Sequence, residues 1–369
     1  MKRELLAPLA ALALLAAGCS GDDKEPGRPE PSYDALTDLH WNVAAVADGA
    51  LDTCGSIAVM SAPGEGAQVA LVSKDRVVAP EVTAPYGSAV VVDRHWRTSG
   101  GCVPTADGPV VVIEAQQANA NLSEGLTKVV AGFTPEGEQL WSVEEAPTLF
   151  ASYRGRGSVL LDGLVDDDWV VLDARTGAQV ASQDTVQANP VTTLSPTLVD
   201  DIDGDLVDLA DGSILGRTGD ATAQVDDDRM LLQTVEGLEL VGLPDLEPIW
   251  TADEDLRLTG IWTRAADLST STIVAFDSGG AIVGLDLKTG KRTWTSDAAR
   301  SDVDGLRVQI GSGVIVFGAA SNDPTAQVVL DSTTGEELTG ADGYVIADQG
   351  LLLEIVGDTV RSITVDNLR

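Results

Sequence analysis

LDLKTGKRTWTS, residues 285–296, decides the fold. Leu285 and Leu287 close one apolar run, Asp286 and Gly290 bracket a polar turn, and a short second run carries Trp294. A glycine at the tip supplies the positive φ that a tight turn between two short strands demands, so the stretch reads as a hairpin. The same plan returns at FTPEGEQLWSV (133–143), LDARTGAQVAS (172–182), LADGSILGR (209–217) and LDSTTGEELTG (330–340). Its turn glycines are Gly137, Gly177, Gly212, Gly290 and Gly335, separated by steps of 40, 35, 78 and 45 residues. The step of 78 spans two repeats, and the missing turn falls in LVGLPDLEPIWTAD (240–253) with Leu246 at the turn position. Tryptophan fixes that register: Trp141, Trp250 and Trp294 each lie four residues past their anchor.

Between these hairpins lie further strand-like runs, SVLLDGL (158–164), DWVVLDA (168–174), GVIVFGA (313–319) and GLLLEIV (350–356). Helical i, i+3, i+4 periodicity is hard to find past residue 33. Four short strands in each ~40 residues is the spacing of a β-propeller blade, so the expected fold is all-β, a propeller of four-stranded blades. A β-sandwich would not repeat one hairpin at constant spacing, and a β-helix would need a shorter period. The pattern LD-x-x-TG-x-x-x-W resembles the repeat of the pyrroloquinoline-quinone-like propellers, well over residues 130–340 and poorly at the flanks. VALVSKDRVVAPEV (69–82) looks like one more hairpin, and 343–347, 350–356 and 359–365 look like three strands of a last blade. A strand at 39–47 would complete that blade and close the ring, giving eight blades, with seven as the alternative. Residues 93–125 fit no blade and read as loops inserted on one face.

Composition narrows the function classes. The formal net charge of -35 opposes a nucleic-acid binder, because phosphate neutralisation needs a basic surface. With 2 His and 3 Cys, a multi-histidine or cysteine-rich metal site lacks its ligands. In DDIDGDLVD (200–208), Asp201, Asp203, Asp205 and Asp208 set hard oxygens around Gly204 as calcium loops do, yet no glutamate closes the loop. An acidic turn is the simpler reading there, as it is for Asp166–Asp168 and Asp226–Asp228. His40–Trp41 and His95–Trp96 could form a recognition surface, but read first as ordinary strand or loop residues. The family resemblance implies one enzyme, a quinoprotein dehydrogenase with a quinone stacked on tryptophan, a calcium ion, a catalytic aspartate and an adjacent cysteine pair. No adjacent cysteines occur here, and the tryptophans occupy repeat positions that pack between blades, so neither a catalytic residue nor a cofactor is expected.

The N-terminus reads as an address. Lys2 and Arg3 precede a Leu/Ala run, Leu5 to Ala17, too short for a span of about 20 residues, and Ala-Gly-Cys19 follows. This is similar to a bacterial lipoprotein signal, which implies cleavage before Cys19 and diacylation of that residue, with Ala16 where the family most often has leucine. Three segments follow: a signal peptide at 1–18, a lipidated, proline-punctuated tether at 19–32, and the propeller at 33–369. Cys54 and Cys102 are then the remaining cysteines, and an exported protein is expected to pair them. Arg outnumbers Lys 17 to 6, as in GC-rich genomes, which places the anchor on the extracytoplasmic face of the cell membrane. The expected partner is an envelope protein with a basic patch. Propeller lipoproteins of similar repeat help assemble outer-membrane proteins and are the nearest functional relatives by resemblance, but a GC-rich, actinobacterial type of cell argues against that role here. Lipidation has a direct test: Cys19→Ala should move the protein from the membrane to the soluble fraction, and an unchanged distribution would remove the anchor.

Overall fold

The computed structural model describes residues 51–61, 69–78, 96–117, 128–163, 169–218, 222–258, 265–298, 307–318 and 327–369, with gaps of one to three residues inside these ranges. The signal peptide, Cys19, the tether, the expected closing strand at 39–47, the His40–Trp41 pair, His95 and Asp166–Asp168 lie outside them.

The described strands form eight antiparallel sheets that follow one another along the chain. We number them I (51–78), II (96–145), III (149–182), IV (190–217), V (222–251), VI (256–296), VII (307–331) and VIII (344–362). Sheets I to V are meanders of four strands; sheet VI has an extra short strand, and VII and VIII have three each. Strands reading as continuous apolar runs are covered on both faces. Lys128–Phe133 is buried at every position. Its Val129, Ala131 and Phe133 join Val59, Val69 and Leu71 of sheet I, while Val130 joins Val159, Leu161 and Leu172 of sheet III. Each sheet is therefore a layer between two neighbours, the architecture of a β-propeller. Sheet VIII also meets sheet I, where Asp348 Oδ2 accepts the Gly55 N–H at 3.0 Å.

The repeat is what joins the layers. In LD-x-x-TG the glycine N–H returns to the aspartate carbonyl: Gly177 to Asp173 at 2.9 Å, Gly212 to Asp208, Gly290 to Asp286 and Gly335 to Asp331 at 2.8 Å. The aspartate Oδ1 collects the turn amides, and in two repeats the threonine hydroxyl, as Asp286 does from Thr289 N at 2.8 Å and Oγ1 at 2.6 Å. All five anchor glycines have positive φ, and Leu246 holds the same turn position with φ 54°. Tryptophan then bridges to the next sheet. The indole N–H of Trp141 donates to Ala174 O at 2.8 Å, that of Trp250 to Leu287 O at 3.0 Å, and that of Trp294 to Ser332 O at 2.9 Å.

Glycine makes room for these rings. A Cβ on Gly284, directly opposite Trp294, would lie 2.1 Å from the indole, and one on Gly335 of sheet VII 2.4 Å from it. Gly132 and Gly177 flank Trp141 at 2.3 and 2.6 Å in the same sense. Trp250 faces Leu240 instead of a glycine and is only half-buried, whereas Trp141 and Trp294 are 8% exposed.

Two expectations are corrected. Within the expected insertion at 93–125, the described residues 96–117 are not loops: Trp96–Val103 and Val110–Gln117 are the first two strands of sheet II. Their Gly100–Gly101–Cys102 segment reads as loop, but a Cβ on Gly100 would come within 3.0 Å of Val69 and 3.1 Å of Val59, so small residues there admit sheet I. Secondly, the last strand, Thr359–Ser362, ends early, and the chain closes in a one-turn helix, α1, Val365–Leu368. Leu368 is fully buried beside Leu338, and Arg369 Nη2 pairs with Asp331 Oδ2 at 2.7 Å.

Truncating a fully docked indole should therefore cost more than truncating the half-buried one. Trp294→Ala should lower unfolding free energy by about 3–5 kcal/mol in chemical denaturation, and Trp250→Ala by less. Losses below about 1 kcal/mol for both would mean that the indoles do not join the sheets.

Candidate functional site

The turns between first and second strands gather where the first strands of neighbouring sheets lie side by side. Neighbouring turns are stitched together by hydrogen bonds. Gly157 N donates to Pro104 O at 2.9 Å, Arg156 N to Thr193 O at 3.0 Å, and Gln224 Nε2 to Leu194 O at 2.9 Å. Ser312 Oγ donates to Asp348 O at 2.7 Å, and Gln349 Nε2 reaches Ala266 O at 2.9 Å. The Arg156 guanidinium crosses from sheet III to Asp227 at the turn of sheet V.

Two buried carboxylates hold this crown. Asp267 is fully buried, and its Oδ1 accepts Ser269 N at 2.9 Å and Ser269 Oγ at 2.6 Å. Its Oδ2 accepts Gly313 N at 2.8 Å and Ser332 Oγ at 2.9 Å, tying sheet VI to sheet VII. Four donors satisfy a carboxylate that is acceptor-only when ionised, so Asp267 is built for structure. Asp348 does the same between sheets VIII and I. Neither was singled out by the sequence; the signal was an aspartate ending a short strand before a turn, in ADLST (266–270) and ADQG (347–350).

The acidic segments of the sequence behave as turns. Leu198–Asp201 and Asp205–Asp208 are paired strands, and the hairpin between them carries Gly204 at φ 74°. Asp201 Oδ1 accepts Asp203 N at 2.8 Å, Asp205 pairs with Arg217 at 3.0 Å, and Asp208 Oδ1 accepts Ala210 N at 2.8 Å. Among the described residues no three His, Cys, Asp or Glu side chains are placed to hold a metal ion together. Asp226 accepts Asp228 N at 3.1 Å and pairs with Arg229, which closes that turn. A buried ion pair escaped the sequence reading: Lys128, fully buried, lies 3.1 Å from Glu114, on the face of sheet II that meets sheet III.

One further charged contact sits at the C-terminus. Burial pushes the Asp331 carboxyl up, but hydrogen bonds from Arg369 and the amides of Thr333 and Thr334, with the guanidinium charge, outweigh it and hold it below its ordinary value.

No family model matches the chain, and no curated protein does. Solved structures similar to it include the computationally designed Ika8 protein, at 14% identity and TM-score 0.45, covering 85% of this chain and 95% of that one. BamB from Moraxella catarrhalis matches at 16% identity and TM-score 0.37, over 64% of this chain and 73% of that one. The dihydro-heme d1 dehydrogenase NirN matches at 16% and 0.46, over 88% and 70%. Likeness at these levels carries no functional weight.

Cys54 and Cys102 are bonded in the structure, their Cα atoms 5.9 Å apart. The bond joins the end of a strand of sheet I to a strand of sheet II, across 48 residues of chain. Asp52 Oδ2 accepts Cys102 N at 2.8 Å beside it. Alkylation of the unreduced protein should add no label by intact mass, and replacing both cysteines by serine should cost up to about 4 kcal/mol. Two labels per chain would show the thiols free.

Proposed function

We propose that this protein is a membrane-anchored, extracytoplasmic β-propeller of eight blades that binds another protein and catalyses nothing itself. The observation that carries the reading is the crown of turns. Its buried carboxylates, Asp267 and Asp348, are spent on neighbouring amides and hydroxyls, so the central face is rigid. A rigid face loses little freedom on association, which favours binding.

The partner's chemistry follows from charge. Removing Lys2, Arg3 and Glu4 with the signal takes away a net +1, so a mature charge near -36 remains. That field holds the domain off anionic lipid, while a proline-bearing tether supplies reach. It also speeds encounter with a cationic protein surface and repels nucleic acid. Turn residues such as Glu136 and Asp211 present the charge on this face.

A photo-crosslinking residue at position 136 should capture one envelope protein in intact cells, and the same residue on the opposite face, at position 203, should not. The association rate of the purified pair should then fall steeply between low and physiological salt, where screening shortens to about 8 Å. A flat salt dependence would leave the acidity as a solubility feature alone.

A further inference from the structure

The repeat contains an internal precedent for docking on its rim. In every sheet from II to VI, the outer strand bulges at the third residue past the turn anchor, where the register skips one position. The skipped residues are Leu140, Val180, Leu215, Ile249 and Thr293. The corresponding residue in sheet VII is Leu338, and it is covered: Leu368 of the chain's own C-terminus shares its buried cluster. Gly340 N donates to Leu368 O at 2.7 Å, and Arg369 closes the contact on Asp331, the repeat aspartate, at 2.7 Å. A leucine followed by an arginine thus fills one such position.

Sheet IV offers the same position open. Leu215 is 40% exposed and its neighbour Ile214 62% exposed. Asp208 stands in the place of Asp331, four residues before the turn glycine in both repeats. Its Oδ1 accepts Ala210 N, and among the described residues no basic side chain pairs with it. Asp211 precedes the strand, and among the described residues its own cation, Arg217, is paired with Asp205. Adjacent exposed aliphatic side chains beside a carboxylate that pairs with no cation make a surface suited to an aliphatic and basic partner.

We infer that the outer strand of sheet IV is a docking site for a segment of a partner protein in which an aliphatic residue is followed by a basic one. The aliphatic side chain would pack on Ile214 and Leu215, and the cation would pair with Asp208. This site is separate from the turn face, and it stands or falls independently of the reading above.

The probe is a fluorescein-labelled peptide with this chain's own residues 359–369, TVRSITVDNLR, titrated into the purified protein and followed by anisotropy. Saturable binding is expected, weakened at least about tenfold by Ile214→Asp with Leu215→Asp. Asp208→Asn should weaken it and flatten its salt dependence, and Asp331→Asn should leave it unchanged. Both apolar side chains point to solvent, so the variants should keep the parent's melting temperature, which separates lost binding from lost folding. Three results would overturn the inference. One is no saturation by millimolar peptide. A second is sensitivity to Asp331→Asn in place of Asp208→Asn, meaning that the peptide merely displaces the native tail from sheet VII. The third is cosedimentation with phosphatidylglycerol vesicles that requires Ile214 and Leu215, which would make the rim a lipid contact.

Discussion

Sheets II to VII are each buried on both faces by their neighbours, and every other feature answers to that constraint. Val129, Ala131 and Phe133 face one way from a single strand while Val130 faces the other, so sheet II has no solvent side to fall back on. Layers of this kind cannot stop at an open end without exposing a whole apolar face, worth roughly 25 cal/mol per Å² of apolar surface. Asp348 of the last layer accepts the Gly55 N–H of the first, and we propose that this contact closes the stack into a ring. The indoles set the spacing of the layers, because Trp141 and Trp294 fit only where two glycines leave a slot.

The acidity of the chain has two separate physical origins. Part of it is structural: Asp173, Asp208, Asp286 and Asp331 cap turns, and Asp267 and Asp348 staple adjacent sheets. A carboxylate in a turn accepts amides that would otherwise face water unpaired, so a repeat that recurs around a ring accumulates negative charge as it accumulates turns. The remainder, at exposed residues such as Glu247, lies on the outside, where it can act on partners through space.

How much of this was legible in the sequence depended on the distance between partners. The hairpins were readable because Asp286 and Gly290 lie four residues apart, and even the turn without glycine could be placed by counting back from Trp250 to Leu246. Strand Trp96–Val103 was not, since Gly100 is small for the sake of Val59 and Val69, which belong to another sheet. Asp267 and Asp348 escaped for the same reason: their partners Gly313 and Gly55 are 46 and 293 residues away. Helix α1 is a single turn, shorter than any helical periodicity can mark. The rim position became visible only when Leu338 and Leu215 could be compared at equal register, one covered and one open.

The central claim is that the sheets stand or fall as one closed ring. Native-state hydrogen exchange measures this directly, through the opening free energies of amides in strands Leu51–Cys54 and Tyr344–Asp348 against those in Lys128–Phe133. Closure predicts that all three strands open with the same free energy, within about 1 kcal/mol, and share one dependence on denaturant. Exchange of the first or last strand at a much lower free energy, while the middle sheets stay protected, would show that the layers end at an open edge.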